Sequence, residues 1–176
     1  MPDFNKVLQP GDYQNGTVNT VVEIPMGSTM KIEWDRNHAA FVLDRVEPQI
    51  FPKPTNYGFI PQTLDEDGDE LDTLIITESP LTTGVWLEAH IIGILNFQDE
   101  KGMDHKVICV PADERNTGDA IKSLDDLSPR LKEKIEYHFA HYKDLYQPGA
   151  TKVLGWGDTE AAKQTIAECI ERFKKG

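Results

Sequence analysis

Alternating apolar and polar residues predict β-strands through most of the first 125 residues. Residues 20–25 form one such run, and residues 30–35 form another in which Ile32 and Trp34 share a face opposite the charged side chains. The short turn between these runs predicts that they pair as a hairpin. Further strands are predicted at 41–45, 72–77, 85–97 and 106–110. Gly93 lies inside the longest run and predicts a bend or bulge.

Helical spacing replaces this alternation after residue 125. Ser128 is a typical N-cap, and Pro129 suits the first helical position. The helix that follows carries one apolar stripe, formed by Leu131, Ile135, Phe139 and Tyr142. A second helix begins near residues 158–159 and turns inward Ala162, Ile166, Cys169, Ile170 and Phe173. Strands followed by helices predict an α+β fold, mainly β: a closed antiparallel barrel with the two C-terminal helices packed outside it.

Length and charge limit what the chain can be. Its 176 residues suit a single domain over 1–176. A net charge of −12 argues against binding to nucleic acid or to an anionic membrane, because both need a basic surface. No apolar run is long enough to span a bilayer, and the first residues do not resemble an export signal. Cys109 and Cys169 are not spaced as a CxxC motif, so we expect two free thiols and a cytoplasmic protein.

Six carboxylates crowd into residues 65–72. Two carboxylates roughly 7 Å apart repel by about 2.4 kcal/mol at an effective dielectric constant of about 20, so such a cluster is either a solvated turn or a cation site. The cation site is favoured because Asp67, Asp69 and Asp72 can converge where the chain enters a buried strand. Carboxylate oxygens suit Mg²⁺ or Mn²⁺ better than Zn²⁺. An EF-hand is excluded, since its sixth loop position would be Glu70 and not glycine.

A second acidic loop covers residues 99–106, between two predicted strands. Alone it is an ordinary hairpin connection, and it gains weight only if both acidic loops meet at one mouth of the barrel. Lys31 and Arg45, taken singly, are surface charges, and Tyr142 belongs to the apolar stripe of its helix. The sequence contains no GxxxxGK[ST], GxSxG or HExxH motif, so nucleotide P-loops, serine hydrolases and zincins have no support.

The segment 67–72 resembles the signature of the family I soluble inorganic pyrophosphatases, a D-x-D-[PE]-hydrophobic-D pattern. The resemblance covers nearly the whole chain, with further segments in family order at 23–25, 31–33, 41–45, 56–61, 99–106, 110–111, 141–145 and 155–156. It implies the compact bacterial type, which has a five-stranded OB-like barrel and is a homo-oligomer, usually a homohexamer. It also implies Mg²⁺-dependent hydrolysis of inorganic pyrophosphate to two phosphates.

The resemblance also implies a role for each site residue. The Mg²⁺ ions, for which Mn²⁺ or Zn²⁺ could substitute, would be held by Asp67, Asp72, Asp99, Asp104 and Glu33. A water or hydroxide bridging two ions would attack directly, oriented or deprotonated by Asp69 with Tyr57 close by. The magnesium complex of pyrophosphate would be bound by Lys31, Arg45, Tyr57, Tyr142, Lys143 and Lys106. Lys31 and Arg45 would also stabilise the charge that shifts to the leaving phosphate, and Lys106 would support the acidic residues.

Two positions depart from the family pattern, and two other functions stay open. Lys53 stands where the family usually has tyrosine, so its ammonium either replaces a contact with phosphate or water or points to solvent. Thr73 is less apolar than the usual residue after the last signature aspartate. The alternatives are a phosphohydrolase acting on polyphosphate or nucleotides and a non-catalytic divalent-ion or OB-fold binding module. The first lacks a base-stacking motif, and the second has no need of a water-orienting carboxylate such as Asp69.

Overall fold

The computed structural model describes residues 2–116 and 118–176. Within these residues the strands are β1 (Thr17–Ile24), β2 (Met30–Asp35), β3 (Ala40–Val46), β4 (Asn56–Phe59), β5 (Asp72–Ile75), β6 (Trp86–Asp99), β7 (Gly102–Met103), β8 (Lys106–Pro111) and β9 (Lys152–Gly157). The α-helices are α1 (Phe4–Val7), α2 (Pro129–His141) and α3 (Thr159–Lys175). The strands and helices predicted from the sequence are all present, and β4, β7, β9 and α1 are additional.

Five strands close into a barrel in the order β1, β4, β5, β8 and β6, because β6 pairs with both β8 and β1. The pairs are antiparallel except for β5 and β8, which run parallel. The prediction of a wholly antiparallel barrel is therefore wrong at one pair, and the barrel is mixed. The reason is topological: β6 and β7 lie between β5 and β8 in the chain and provide the long crossover that parallel neighbours need.

The predicted hairpin between β1 and β2 is wrong. Both edges of β1 are occupied, one by β4 and the other by β6. β2 therefore pairs with β3 in a separate two-stranded sheet. This β2–β3 hairpin remains attached to the barrel through Trp34, whose ring lies 4.9 Å from that of Phe4 and 6.4 Å from that of Phe59.

The bulge expected at Gly93 is confirmed by a register shift between Ile91 and Gly93 in the pairing of β6 with β8. The backbone there approaches Leu124 so closely that a Cβ would have no room. Beyond the bulge β6 also pairs with β9, one of the strands that sequence periodicity missed. Two of the six residues of β9 are glycine, which masks the alternation that marks a strand.

Both C-terminal helices begin at the predicted caps. Ser128 Oγ accepts a hydrogen bond from the backbone N–H of Leu131, and the Asp158 carboxylate accepts one from that of Ala161. α3 packs on a core cluster inside the barrel, and α2 packs on a second cluster that borders the cavity described below. Of the inward residues predicted in α3, Phe173 alone is half-buried. Among the described residues, none of the helices has the length and apolar character needed to cross a bilayer.

A close approach of two barrel strands at Gly58 generates a stability prediction. A methyl group added at Gly58 in β4 would collide with the carbonyl oxygen of Val21 in β1. We expect Gly58→Ala to lower the free energy of unfolding by about 1–3 kcal/mol, because the strands must separate. Urea denaturation measures this change. Gly176→Ala is the control, since its nearest contacts would be an ordinary 3.7 Å, and equal stability of both variants would contradict the close approach.

Candidate active site

A cavity of about 340 Å³ lies between the barrel, the β2–β3 hairpin and the C-terminal end of α2. Its walls contain every residue that the sequence analysis assigned to the site: Lys31, Glu33, Arg45, Tyr57, Asp67, Asp69, Asp72, Asp99, Asp104, Lys106, Tyr142 and Lys143. The two acidic loops therefore do meet, and the cations from the hairpin and from α2 face the same space. The cavity is small and strongly polar, which suits a compact charged ligand.

Lys106 connects the two acidic loops at the base of the cavity. The parallel pairing of β5 with β8 sets Asp72 directly beside Lys106. Lys106 Nζ donates a hydrogen bond of 2.5 Å to Asp72 Oδ2 and another to Asp104 Oδ1. Burial by itself would lower the pKa of Lys106, but the charges of Asp104 and Asp72 outweigh it and raise the pKa above its ordinary value. One protonated lysine thus holds two carboxylates together.

Tyr57 supplies a second donor to the same carboxylate. β4 lies next to β5 in the barrel, and the phenol O–H of Tyr57 donates a hydrogen bond to Asp72 Oδ2. Burial and the negative charge of Asp72 raise the pKa of Tyr57 well above its ordinary value, so the phenol remains a donor. Burial also raises the pKa of Asp72, against the opposing effect of the Lys106 ammonium.

The acidic loop before β5 is anchored by Asp65, which the structure places away from the cavity. The Asp65 carboxylate accepts a 2.8 Å hydrogen bond from the backbone N–H of His105, next to Asp104 on the other acidic loop. Its backbone N–H donates to Asp69 O at 2.8 Å. Arg172 of α3 lies 3.8 Å from the same carboxylate. Asp65 therefore links the two acidic loops. The acidic cluster is thus anchored to the fold and is not the freely solvated turn considered as the alternative to a cation site.

Asp67 and Asp69 occupy the part of this loop that faces the cavity. Asp67 Oδ1 accepts a 3.1 Å hydrogen bond from the backbone N–H of Asp69. Burial and the charge of Asp104 raise the pKa of Asp67 to about 6. The Asp69 side chain is 66% exposed, and Lys101 lies 3.8 Å from its carboxylate. Asp69 is thus held by its backbone while its carboxylate stays open to the cavity.

The cations opposite are held by ion pairs on the β2–β3 hairpin. Lys31 bonds to Glu33 and lies 3.4 Å from Asp44. Burial would lower the pKa of Lys31, but Glu33 outweighs this effect and raises it. Arg45 bonds to Asp44 at 2.6 Å and to Glu47 at 2.7 Å, with the second bond made by Nε. The sequence analysis missed Asp44 and Glu47, although spacing of one and two residues from Arg45 along a strand could have identified them.

The third cation comes from the end of α2. Lys143 Nζ bonds to Glu100 at 2.7 Å and to Asp99 at 3.2 Å, which fixes the tip of the second acidic loop. Glu100 is a further site residue that the sequence analysis did not assign. Tyr142 is 8% exposed and its ring stacks on His138 at 5.5 Å, so it serves the helix core and the cavity wall together.

The chemistry of this donor set fits divalent cations, but the carboxylates do not meet at one point. Oxygen donors from two loops are what Mg²⁺ takes in proteins. Burial raises the pKa of Asp67 and of Asp72, and a dication would offset that unfavourable negative charge. Among the described residues, no three acidic, histidine or cysteine side chains are close enough to form a ready-made cage. Lys106 instead takes up the facing oxygens of Asp72 and Asp104.

Fold and site together define the class of protein. An acidic wall stands opposite fixed lysine and arginine side chains in one small cavity, and its carboxylates are those of Asp67, Asp72 and Asp104. Carboxylate oxygens of this kind suit divalent cations. Hydrolysis of a phosphoanhydride needs this combination, since charge must be neutralised on the attacked and the leaving phosphoryl groups. The arrangement is that of a metal-assisted phosphohydrolase.

Comparison with known proteins specifies the class further. The family model described as inorganic pyrophosphatase matches residues 20–174. The inorganic pyrophosphatase of Neisseria meningitidis serogroup B is 62% identical over 175 residues, which is 99% of each chain. That of Haemophilus influenzae is 60% identical over the same share of both chains. The chain belongs to the family I inorganic pyrophosphatases of bacterial type, and its reaction is the hydrolysis of inorganic pyrophosphate.

Solved structures support the same conclusion for the fold. The crystal structure of an inorganic pyrophosphatase from Neisseria gonorrhoeae matches with a TM-score of 0.96 and 60% identity, over 97% of this chain and 99% of that one. The inorganic pyrophosphatase of Thermus thermophilus matches with a TM-score of 0.88 and 41% identity, over 95% of this chain and 97% of that one. The mixed barrel with its C-terminal helices is thus the pyrophosphatase fold.

The bridge made by Lys106 generates a second stability prediction. Lys106→Met leaves two partly buried carboxylates without their shared cation, so we expect the free energy of unfolding to fall by about 3–5 kcal/mol. Urea denaturation in metal-free buffer measures the loss. Lys101→Met is the matched control. The Lys101 side chain is 59% exposed and forms a long ion pair of 3.8 Å with Asp69, so the free energy of unfolding should change by less than about 0.5 kcal/mol. Similar losses for both variants would show that the bridge adds no stability.

Proposed function

We propose that the chain cleaves inorganic pyrophosphate, bound as its magnesium complex, to two phosphates by direct attack of water. The observation that carries this mechanism is the meeting of two carboxylate loops and three paired cations around one cavity. No serine, threonine, cysteine or histidine is found among the described residues that line this cavity. Among the described wall residues, alcohol, thiol and imidazole nucleophiles are therefore missing, and the phenol of Tyr57 is engaged as a donor to Asp72. This supports water as the nucleophile.

The proposed metal ligands are Asp67, Asp72, Asp99, Asp104 and Glu33. When bound, Mg²⁺ would neutralise phosphoryl charge and lower the pKa of a coordinated water toward about 7. Asp67, Asp72 and Asp104 belong to the partly buried acidic wall and are assigned the tighter ion. Asp99 and Glu33 lie nearer the cations of α2 and β2, which is consistent with ions that arrive with the substrate.

Asp69 is the proposed acceptor for the proton of the attacking water. Its backbone is fixed from both sides, by Asp67 through its N–H and by Asp65 through its carbonyl oxygen. Among the described residues, the only charged partner of its carboxylate is Lys101, in a long ion pair of 3.8 Å. Tyr57 assists by fixing the orientation of Asp72. These contacts support a carboxylate that is positioned and free to accept a proton.

The proposed phosphate-binding residues are Lys31, Arg45, Tyr142 and Lys143, with Lys106 and Tyr57 supporting the acidic wall. Burial opposes protonation of Arg45, but Glu47 and the other nearby acidic groups outweigh it and keep its pKa above the ordinary value. Arg45 therefore remains charged throughout the reaction. Together with Lys31 it would stabilise the negative charge that develops on the leaving phosphate.

We infer a homo-oligomer, with the homohexamer as the form that the family resemblance implies. Large apolar side chains exposed on β3, β6, α2 and β9 support an interface between copies: Val42, Leu43, Val46, Trp86, Tyr137 and Leu154. A cytoplasmic location is supported by Cys109 and Cys169, which are buried and unpaired as thiols.

Phosphate release tests the reaction and its metal requirement. With Mg²⁺ we expect rapid release from pyrophosphate and much slower release from ATP, because the small cavity has no site for a base. EDTA should abolish release, and added Mg²⁺ should restore it. Equal rates with ATP would instead favour a broader phosphohydrolase, and release that EDTA leaves unchanged would contradict the metal mechanism.

Asp69→Asn tests the proposed proton acceptor. Turnover should fall by about 10²- to 10⁴-fold, because the amide cannot accept the proton, while its similar shape preserves the fold. Steady-state kinetics measure the loss, and calorimetric titration with Mg²⁺ should show nearly unchanged binding. The control is Asp113→Asn, an exposed residue paired with Arg115 outside the cavity walls. Turnover near that of the unaltered enzyme would remove the role assigned to Asp69.

A further inference from the structure

Lys53 is a cavity residue to which no role has yet been assigned. It lies in the connection between β3 and β4 and is only 7% exposed. Its backbone is held on both sides, since Lys53 N–H donates to Ser28 O at 2.9 Å and Gly27 N–H donates to Lys53 O at 3.0 Å. Its Nζ lies 4.3 Å from the ring centroid of Tyr57 and 5.6 Å from that of Tyr142. The ammonium thus points into the cavity and not to bulk solvent.

Lys53 differs from the other cations of the cavity in lacking an acidic partner. Each of the others forms an ion pair with at least one carboxylate: Lys31, Arg45, Lys101, Lys106 and Lys143. Within residues 2–116 and 118–176, Lys53 forms no ion pair with a carboxylate. Its Nζ instead lies over the rings of Tyr57, Phe139 and Tyr142, and a ring face is a weaker partner for a cation than a carboxylate.

An unpaired buried cation is unfavourable unless something else provides negative charge. Burial lowers the pKa of Lys53 to about 8, and the ammonium groups of Lys106 and Lys31 add to this effect. Asp72 and Glu47 act in the opposite direction. Lys53 thus lines the same cavity as the acidic residues and the cations of the hairpin, where the anion of the proposed reaction would be bound.

Resting on the proposed function, we infer that Lys53 binds a phosphate oxygen of pyrophosphate and of the phosphate product. The phosphate oxygen thereby serves as the anionic partner of Lys53, in place of the carboxylate that pairs with each of the other cations in the cavity. Lys53 is then a residue that sets affinity for the anion, and it takes no part in proton transfer. Its backbone clamp and the rings of Tyr57 and Tyr142 hold the ammonium in place before the anion arrives, which limits the entropy lost on binding.

This role predicts opposite effects on two ligands. Removing the positive charge of Lys53 should weaken binding of phosphate, because an ion pair is lost. The same change should leave binding of Mg²⁺ alone as tight or make it tighter, because one cation that repels the metal is removed from the neighbourhood of Asp72. A residue that only packs the cavity wall would instead weaken both ligands together.

The test compares Lys53→Met with Lys53→Arg at pH 7. Methionine keeps an unbranched chain and removes the charge, whereas arginine keeps the charge. For Lys53→Met, calorimetric titration with inorganic phosphate in the presence of Mg²⁺ should show affinity reduced about 10- to 100-fold. The KM for pyrophosphate should rise by a similar factor with a smaller change in kcat, and titration with Mg²⁺ alone should show no loss of affinity. Lys53→Arg should retain most of the phosphate affinity.

A stability measurement and a surface control make the result decisive. Lys53→Met should melt at the same or a higher temperature than the unaltered protein, because it removes a buried unpaired charge. Lys152→Met on exposed β9 should change neither ligand affinity. Unchanged phosphate affinity in Lys53→Met, or equal losses for phosphate and Mg²⁺, would overturn the inference while the unaltered enzyme still hydrolysed pyrophosphate. Failure of the unaltered protein to hydrolyse pyrophosphate would instead overturn the proposed function, and loss of phosphate binding in Lys53→Met would still support the anion site.

Discussion

Two partly buried carboxylates share one buried ammonium at the base of the cavity, and the barrel topology keeps them there. The parallel pairing of β5 with β8 places Asp72 beside Lys106, and Asp104 follows from its position two residues before Lys106. Both strands continue into the core through Leu74 and Ile108, which are fully buried, so the pair cannot shift without disturbing the barrel. The shared lysine also leaves one negative charge unbalanced. A fold with this excess negative charge is suited to bind a cation. The other carboxylates of the cavity add further negative charge at the same place.

The opposite side of the cavity has the complementary imbalance. Lys31 and Arg45 are held by acidic partners on or next to their own strands, and Lys143 is held by the second acidic loop. These ion pairs fix their positions before any ligand binds. Lys53 is held by backbone hydrogen bonds and aromatic rings alone, so its charge remains unanswered within the described chain. A magnesium complex of pyrophosphate carries charges of both signs and would correct both imbalances together. This explains how a chain with a net charge of −12 can accept a polyanion.

Local sequence signals predicted the elements better than their pairing. The caps at Ser128 and Asp158 and the bulge at Gly93 depend on neighbouring residues, so they could be inferred directly. The β1–β2 hairpin failed because the edges of β1 are filled by strands distant in sequence, and no local pattern records that competition. The residues of the site were found through their signature and its companions. Their ion-pair partner Glu100 was missed, since its role appears only when the end of α2 and the second acidic loop come together. Glu47 was also missed, although it lies only two residues from Arg45.

Lys53 shows why the same residue can be ambiguous in sequence and definite in structure. A lysine between two prolines in an irregular connection is most simply interpreted as an exposed charge, and nothing nearby in the chain argues otherwise. Lys53 is buried because the connection between β3 and β4 packs against the turn between β1 and β2. In that turn, Ser28 and Gly27 form hydrogen bonds with the Lys53 backbone. Once the backbone is fixed in this way, the side chain has only the cavity to enter. A buried charge without a partner weakens the folded state, and this cost is reasonable only where an anion binds. The same argument separates Lys53 from Lys106, whose partners are built into the protein and whose charge therefore serves the fold first.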